Sequence, residues 1–454
     1  MKVAGGMVSM RFFGRSNSSR LRWPVTELGT RLSGPNGFLA GRLPVPPSKS
    51  LTNRALIAAA VAGGGLIVDP LDCEDTRLLA AALQTAGWRV RWSEQVITIG
   101  PMTPVESLVT VSLGNSGTGA RLLLALLASV PGHFIVDGSP RLRQRPMEPL
   151  IKALSALGAR MEASNNRMLP VSVEGQRLRG GQTDIRPGVS SQFVTALLMA
   201  APLFLDGLEL QIVGPLPSEP YLELTHRVLS DFGAEVERSS DNRQWRVGGG
   251  GLKQIRWCVE GDWSAAAFPI AAAAVAGGWV EVPGLDRASA QGDRIICDIL
   301  ADAGMIFEWF GDRLVAKGPV TKPIFADLGA SPDTFPALAA VAACRVPGSK
   351  LCGLGNLLHK ESSRLQVMAS NLRALGARIV VGDETFEVEK TVDRKNDLLR
   401  TVQAADDHRI AMAMAVTALE AGPLDLDEPS SVAKSFPDFW SRWNALLRGE
   451  ASSD

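Results

Sequence analysis

The 454-residue chain is too long for one ordinary hydrophobic core and comfortable for two of about 200 residues each. Its 47 Lys plus Arg balance its 47 Asp plus Glu, so no global field draws it to nucleic acid or to a membrane, and any anion recognition must be local. Cys73, Cys258, Cys297, Cys344 and Cys352 lack CxxC or metal-ligand spacing and read as reduced, mostly buried thiols, and apolar runs such as residues 265–277 fall short of the ~20 residues a bilayer span needs; a soluble, cytoplasmic protein without a disulfide framework or metal site is expected.

The first 26 residues contain no Asp or Glu but do contain Arg11, Arg15, Arg20 and Arg22 among serines, a composition shared with organelle transit peptides. A disordered extension or an early start codon, which Met7 and Met10 permit, is the plainer reading and the one preferred. Beyond it one pattern recurs: an apolar helical stretch ends in Gly and, in all but the last copy, a strand-like segment follows. The glycines are Gly87, Gly158, Gly233, Gly304, Gly376 and Gly449, at intervals of 71, 75, 71, 72 and 73 residues. Such regularity predicts six copies of one unit. Glycine suits each position because a left-handed helix terminus costs it little, and the i, i+3, i+4 apolar spacing before it predicts one buried helix face. Six βα-rich units predict an α/β protein. They divide into two groups of three, with domains expected at residues 47–260 and 261–454 and residues 1–46 forming an extension and a strand that joins the second domain.

The chemistry-bearing motifs lie at predicted helix starts. PPSKSLTNRA puts Lys49, Ser50 and Arg54 where free N–H groups and cations suit phosphate or carboxylate, although a Ser-capped helix with solvated charges explains them equally well. LGNSGTGAR brings Asn115 and Gly117 ahead of Arg121, a small-residue turn that would let a ligand approach the backbone, although such a turn on its own more often binds nothing. RLRQRP packs Arg141, Arg143 and Arg145 together, most simply as a solvated face. VSSQF offers Ser190, Ser191 and Gln192 at another helix mouth, where either serine would serve as a cap. PSEPY adds Ser218 and Tyr221, the latter equally a loop anchor. In the second half Asp333 would cap a helix, Asn356 precedes Lys360, and Glu361 would pair with Arg364 at i, i+3. Asp407, His408, Arg409 and Lys434 taken singly are surface charges.

Taken together and in this order, KSLTNR, GNSGT, RQRP, SSQF, KESSR, DDHRIAM and SFPDF resemble the 5-enolpyruvylshikimate-3-phosphate synthases, over residues 45–439. The resemblance implies a two-domain inside-out α/β barrel, each domain built from three βαβαββ-type units. It also implies transfer of the enolpyruvyl group of phosphoenolpyruvate to the 5-hydroxyl of shikimate 3-phosphate, with no cofactor, by a monomer. Carried over position by position, Lys49, Ser50, Arg54, Ser190, Ser191, Gln192, Ser218, Tyr221, Asp333, Asn356 and Lys360 would hold shikimate 3-phosphate. Lys49, Asn115, Gly117, Arg145, Gln192, Arg364, Arg409 and Lys434 would hold phosphoenolpyruvate. Asp333 would act as base, Glu361 as acid and Lys49 as a stabiliser of developing charge, with His408 and Asp407 tuning the neighbourhood. Ligands on both halves imply domain closure. Gly117 implies sensitivity to glyphosate, an inhibitor that occupies the phosphoenolpyruvate site in this family.

Pro47, Leu122, Trp263 and Ser363 depart from the family pattern, which implies altered loop geometry. Enolpyruvyl transfer to another acceptor, as in the UDP-N-acetylglucosamine enolpyruvyl transferases, is disfavoured by Lys49-Ser50 in place of Lys-Asn and by the lack of a Cys between Cys73 and Cys258. A non-catalytic anion-binding or RNA-binding repeat protein is disfavoured by zero net charge and by the carboxylates among the cations.

Overall fold

A computed structural model describes residues 31–32, 38–164, 168–394 and 398–450; the basic segment of the first 26 residues lies outside them. Each full unit is a βαβαββ module. In one, strands Val109–Ser112 and Gly132–Asp137 pair in parallel around helix Gly117–Ala128. Gly132–Asp137 then pairs antiparallel with Met168–Gly175, setting Phe134 opposite Val173, and Met168–Gly175 pairs antiparallel with Arg160–Ser164. The described residues form five such four-stranded sheets and one three-stranded sheet.

Each unit contributes two helices with different jobs. The outer ones, such as Pro220–Asp231 and Phe439–Arg448, are amphipathic and lie over the sheets. The inner ones are Lys49–Val61, Gly117–Ala128, Gln192–Ala200, Trp263–Ala276, Phe335–Arg345 and His408–Ala421, buried almost all round. They can be so buried because their residues are mainly Ala and Leu, which pack on every side. One hydrophobic core draws on residues 51–259, and a second on residues 39–43 together with 263–446.

The six recurring glycines all sit at outer-helix ends with positive φ, from 67° at Gly449 to 111° at Gly87, as their spacing anticipates. Two units are completed across the chain rather than along it. Strand Leu39–Arg42 pairs in parallel with Gly278–Val282, and Arg256–Cys258 with Gly65–Val68. The chain therefore passes between the halves twice, and the two passages are hydrogen-bonded to each other: Ser48 N donates to Glu260 O at 2.8 Å and Asp262 N to Pro46 O at 2.9 Å.

The cysteine expectation needs correcting, since only Cys73 and Cys344 are buried. Cys297 and Cys352 are half-buried and Cys258 is exposed, because it occupies an outward position of the alternating strand Arg256–Cys258. Among the described residues no helix is long and apolar enough to cross a membrane.

Candidate active site between the halves

All six inner helices aim their N-termini at one cleft, and none carries an acidic residue in its first turn. Unpaired N–H groups and six helix dipoles thus give the cleft a positive bias before any side chain is counted. A cavity lies there, lined by Lys49, Ser50, Arg54, Gly117, Arg145, Ser190, Ser191, Gln192, Ser218, Tyr221, Asp333, Lys360, Glu361, Arg364, His408 and Arg409. Three further candidates stand behind its wall. Lys434 donates to the Asn115 carbonyl at 3.0 Å and lies 3.8 Å from both Asp75 and Glu361. Asn356 reaches the cavity through Ser218, to whose hydroxyl its side chain donates at 3.4 Å.

The second half supplies a charged lattice centred on Arg364. Its guanidinium contacts Asp333 at 2.7 Å, Glu361 at 2.8 Å and Asp407 at 2.8 Å. Asp333 also meets Arg409 at 3.0 Å and Lys360 at 3.4 Å. Asp333 is therefore no helix cap; it lies in a 3-10 turn ahead of helix Phe335–Arg345, and Thr334 takes the cap position. Burial opposes its charge, but Arg409, Lys360 and Arg364 outweigh burial and hold the carboxyl well below its ordinary range. Glu361 is likewise buried and likewise held low, by Arg364, Lys434 and Arg145. The Glu361–Arg364 pair at i, i+3 is thus both a local helix-start contact and part of the cavity wall.

The first half is built differently. Arg54 is fully enclosed, donating to Thr225 Oγ1 at 3.0 Å and to the carbonyls of Ser50 and Tyr221 at 2.9 and 3.0 Å. Burial lowers its pKa to about 10, so it stays a cation at neutral pH. Ser191 takes the cap position of its helix but its hydroxyl donates to the Ser218 carbonyl at 3.2 Å, and it is the Ser190 hydroxyl that accepts from Gln192 N, at 3.3 Å. Ser218 itself holds a left-handed φ of 56°. Lys49 pairs with Asp75 at 3.2 Å, and although burial works against its charge, Asp75 and Glu361 keep its pKa above the ordinary lysine value.

The arginine cluster 141–145 is not uniformly solvated. Arg143 fits that description, paired with Asp137 on the surface. Arg141 instead bridges the halves, donating to the carbonyls of Glu361 at 3.2 Å and Lys360 at 3.0 Å. Arg145 is buried, and its Nε and Nη1 have no hydrogen-bond partner among the described residues. Arg409 and Lys434, surface charges by sequence pattern alone, are also buried. His408 lies at the cavity wall with both ring nitrogens unpartnered among the described residues. Burial, Lys49 and Arg409 push its pKa well below the ordinary value, so the ring is neutral.

Sequence reasoning missed Asp75 and Asp262. Asp75 follows an unremarkable helix start, and nothing in its neighbourhood announces the pairing with Lys49. Asp262 uses one carboxylate for two helices: Oδ1 accepts from Ser264 N and Ala265 N, and Oδ2 accepts from Lys49 N across the halves at 3.1 Å. Arg121, whose guanidinium donates to Gln192 Oε1 and to the Pro146 carbonyl, supports the wall without lining it. No cluster of three or more His, Cys, Asp or Glu among the described residues is placed to hold a metal ion.

A family model described as EPSP synthase (3-phosphoshikimate 1-carboxyvinyltransferase) matches residues 35–443. A protein of Methanoculleus marisnigri named 3-phosphoshikimate 1-carboxyvinyltransferase is 40% identical over 412 residues, 89% of this chain and 96% of its own length. One of that name from Pseudoalteromonas atlantica is 36% identical over 426 residues, 90% of this chain and 97% of its own. The solved EPSP synthase of Acinetobacter baumannii superposes with a TM-score of 0.75 at 27% identity, covering 92% of this chain and 98% of that one, so the two-domain inside-out α/β architecture is shared. With its cation-lined cleft between two three-unit halves, this chain belongs to the EPSP synthase (3-phosphoshikimate 1-carboxyvinyltransferase) family.

Proposed function

We propose that the chain transfers the enolpyruvyl group of phosphoenolpyruvate to the 5-hydroxyl of shikimate 3-phosphate, releasing phosphate, with the cleft residues in the roles that follow. The observation that carries these roles is Arg145, a buried guanidinium with two nitrogens lacking hydrogen-bond partners among the described residues, in the same cavity as the ionised pair Asp333 and Glu361. Such a group is costly unless an anion completes it. Phosphoenolpyruvate supplies that anion, held by Arg145, Arg364, Arg409, Lys434 and Lys49 with Gly117 at the backbone. Shikimate 3-phosphate takes Ser50, Arg54, Ser190, Ser191, Gln192, Ser218 and Tyr221 on one side and Asp333, Asn356 and Lys360 on the other.

Asp333 is ionised and can accept the 5-hydroxyl proton as that oxygen bonds to the central carbon of phosphoenolpyruvate. The methylene carbon takes a proton in the same addition. Loss of a proton from the resulting methyl then expels phosphate and restores the double bond. Glu361 is the proton donor of this reading, although the cations hold its carboxyl low in the ligand-free cleft. Substrate anions that pair with Arg145, Arg364 and Lys434 withdraw that stabilisation and raise its proton affinity when the proton is needed. Lys49, held as an ammonium by Asp75, stabilises the developing charge. Neutral His408 packs beside it and donates no proton.

The same reading takes the enzyme to be a cytoplasmic monomer; one chain lines the cleft, so no partner subunit is needed to complete it. It divides the chain into residues 1–46, 47–260 and 261–454, supported by the two separate cores. Phosphate release from phosphoenolpyruvate tests it: release should require shikimate 3-phosphate and be absent with UDP-N-acetylglucosamine. Release that is indifferent to shikimate 3-phosphate would overturn the assignment.

A further inference from the structure

We infer that the stretch Gln291–Gly292–Asp293 is a closure latch, three positioning residues that join the two chain passages, seat the halves against each other and orient Tyr221 against Asp333. It rests on the functional reading above but involves none of the residues given substrate-binding roles there, apart from Tyr221 and Asp333, on which it acts.

Gln291 is buried and its amide is fully used. Nε2 donates to Glu260 Oε1 at 2.8 Å and to the Gly261 carbonyl at 2.7 Å, on one passage. Oε1 accepts from Ser48 Oγ at 3.2 Å, on the other, and from Trp263 N at 3.1 Å. Glu260 is gripped from the first half by Arg227 at 2.6 Å. One side chain therefore ties together both chain passages between the halves, and the neighbouring Ala290 packs against the first half's core.

Gly292 is a point of close approach between the halves. A Cβ there would lie 2.6 Å from Pro220 Cβ and 3.0 Å from its Cγ, on the first half, and 3.0 Å from Ser331 Oγ. Its φ is outside the left-handed region, so an alanine backbone is permitted and the obstruction comes from packing, chiefly across the interface.

Asp293 completes the device. Its Oδ2 accepts from Tyr221 Oη at 3.1 Å and from Ser264 Oγ at 3.1 Å, while Oδ1 has no partner among the described residues. The same Tyr221 hydroxyl lies 3.2 Å from Asp333 Oδ2. One phenol proton cannot serve two ionised carboxylates at once. Asp333, Arg409, Asp262 and Tyr221 face Asp293, and burial together with Asp333 raises its carboxyl to about 6. Asp293 is accordingly the carboxyl that takes up a proton as pH falls through about 6; in that form it donates to the Tyr221 oxygen and turns the phenol proton towards Asp333, and above it the ionised carboxylate shares the phenol proton with Asp333. Tyr221 belongs to the first half and the two aspartates to the second, so the arrangement spans the two halves.

Gly292→Ala tests this, measured beside wild type, Pro220→Gly and the double variant. Expected for Gly292→Ala is at least a tenfold loss of kcat/KM for shikimate 3-phosphate, felt in both kcat and KM, with little change in the ligand-free Tm. Its radius of gyration at saturating shikimate 3-phosphate should exceed that of wild type. Pro220→Gly, which removes the opposing Cβ and ring, should recover most of that loss when combined with Gly292→Ala. Wild-type kcat, KM and radius of gyration in Gly292→Ala overturn the latch, as does a loss that Pro220→Gly does not relieve. Failure of the functional reading would show separately, as wild type that releases no phosphate with shikimate 3-phosphate; the radius comparison still judges the latch in that case.

Discussion

The two walls of the cleft solve different problems. On the second half, Arg364 engages three carboxylates, Arg409 and Lys360 share one of them, and the ionised side chains hold one another in place. On the first half, Arg54 is satisfied by hydroxyls and carbonyls, the serines offer neutral donors, and Arg145 keeps two nitrogens without partners among the described residues. One wall is preorganised for moving protons and charge, the other is incomplete until an anion arrives. The lesson is that a net charge of zero hides a sharp local division of labour.

Replacing Asp333 by Asn or Glu361 by Gln should break the charged wall hardest. General acid–base catalysis contributes roughly 10²–10⁴-fold, and turnover should fall by that order while shikimate 3-phosphate still binds. Near-native kcat in both variants would refute the assignment of proton transfer to this wall.

Arg145→Ala attacks the other wall. Loss of a charge-assisted contact costs about 1.5–3 kcal/mol, so KM for phosphoenolpyruvate should rise roughly 10–100-fold with little change for shikimate 3-phosphate. An equal rise for both substrates would show that Arg145 shapes the whole cleft rather than one anion's seat.

Asp293→Asn sharpens the comparison through pH. A carboxyl raised in the folded state from 3.8 to about 6 makes the protein most stable below about pH 4 and progressively less so up to about pH 6, with no further change above. The cost at neutral pH is up to about 3 kcal/mol. Asn removes the ionisation, so its Tm advantage over wild type should grow from pH 4 to 6 and then level off. A Tm difference that does not vary with pH would contradict the raised carboxyl.

Gly117→Ala should give the smallest effect. Its methyl would stand 2.5 Å from Arg145 Nη1, forcing the guanidinium tip aside. Because that tip belongs to a flexible side chain, we expect a several-fold rise in KM for phosphoenolpyruvate and weaker competition by glyphosate. Unchanged inhibition at several phosphoenolpyruvate concentrations would show that Arg145 absorbs the methyl without cost.

Much of this was determined by the sequence alone. Apolar periodicity and the six glycines specify repeated helix–strand units, since burial of one helix face and a left-handed terminus are local demands. The motifs fall at helix starts, where N–H groups face the cleft and, of the six inner-helix cap residues, only Asp262 and Asp407 answer them with a side chain. What single positions could not announce was partnership. Arg143 and Arg145 stand two residues apart, yet one is on the surface and the other buried beside Gly117. Asp407 looks like a surface charge and is the fully buried partner of Arg364, 43 residues away. Asp75 meets Lys49, Asp262 joins helices from opposite halves, and Gln291 reaches back to Ser48 across 243 residues. Those contacts depend on how two cores dock and on where the chain passes twice between them. Only the tertiary structure decides that, because charge and hydrogen bonding act through space while periodicity acts along the chain.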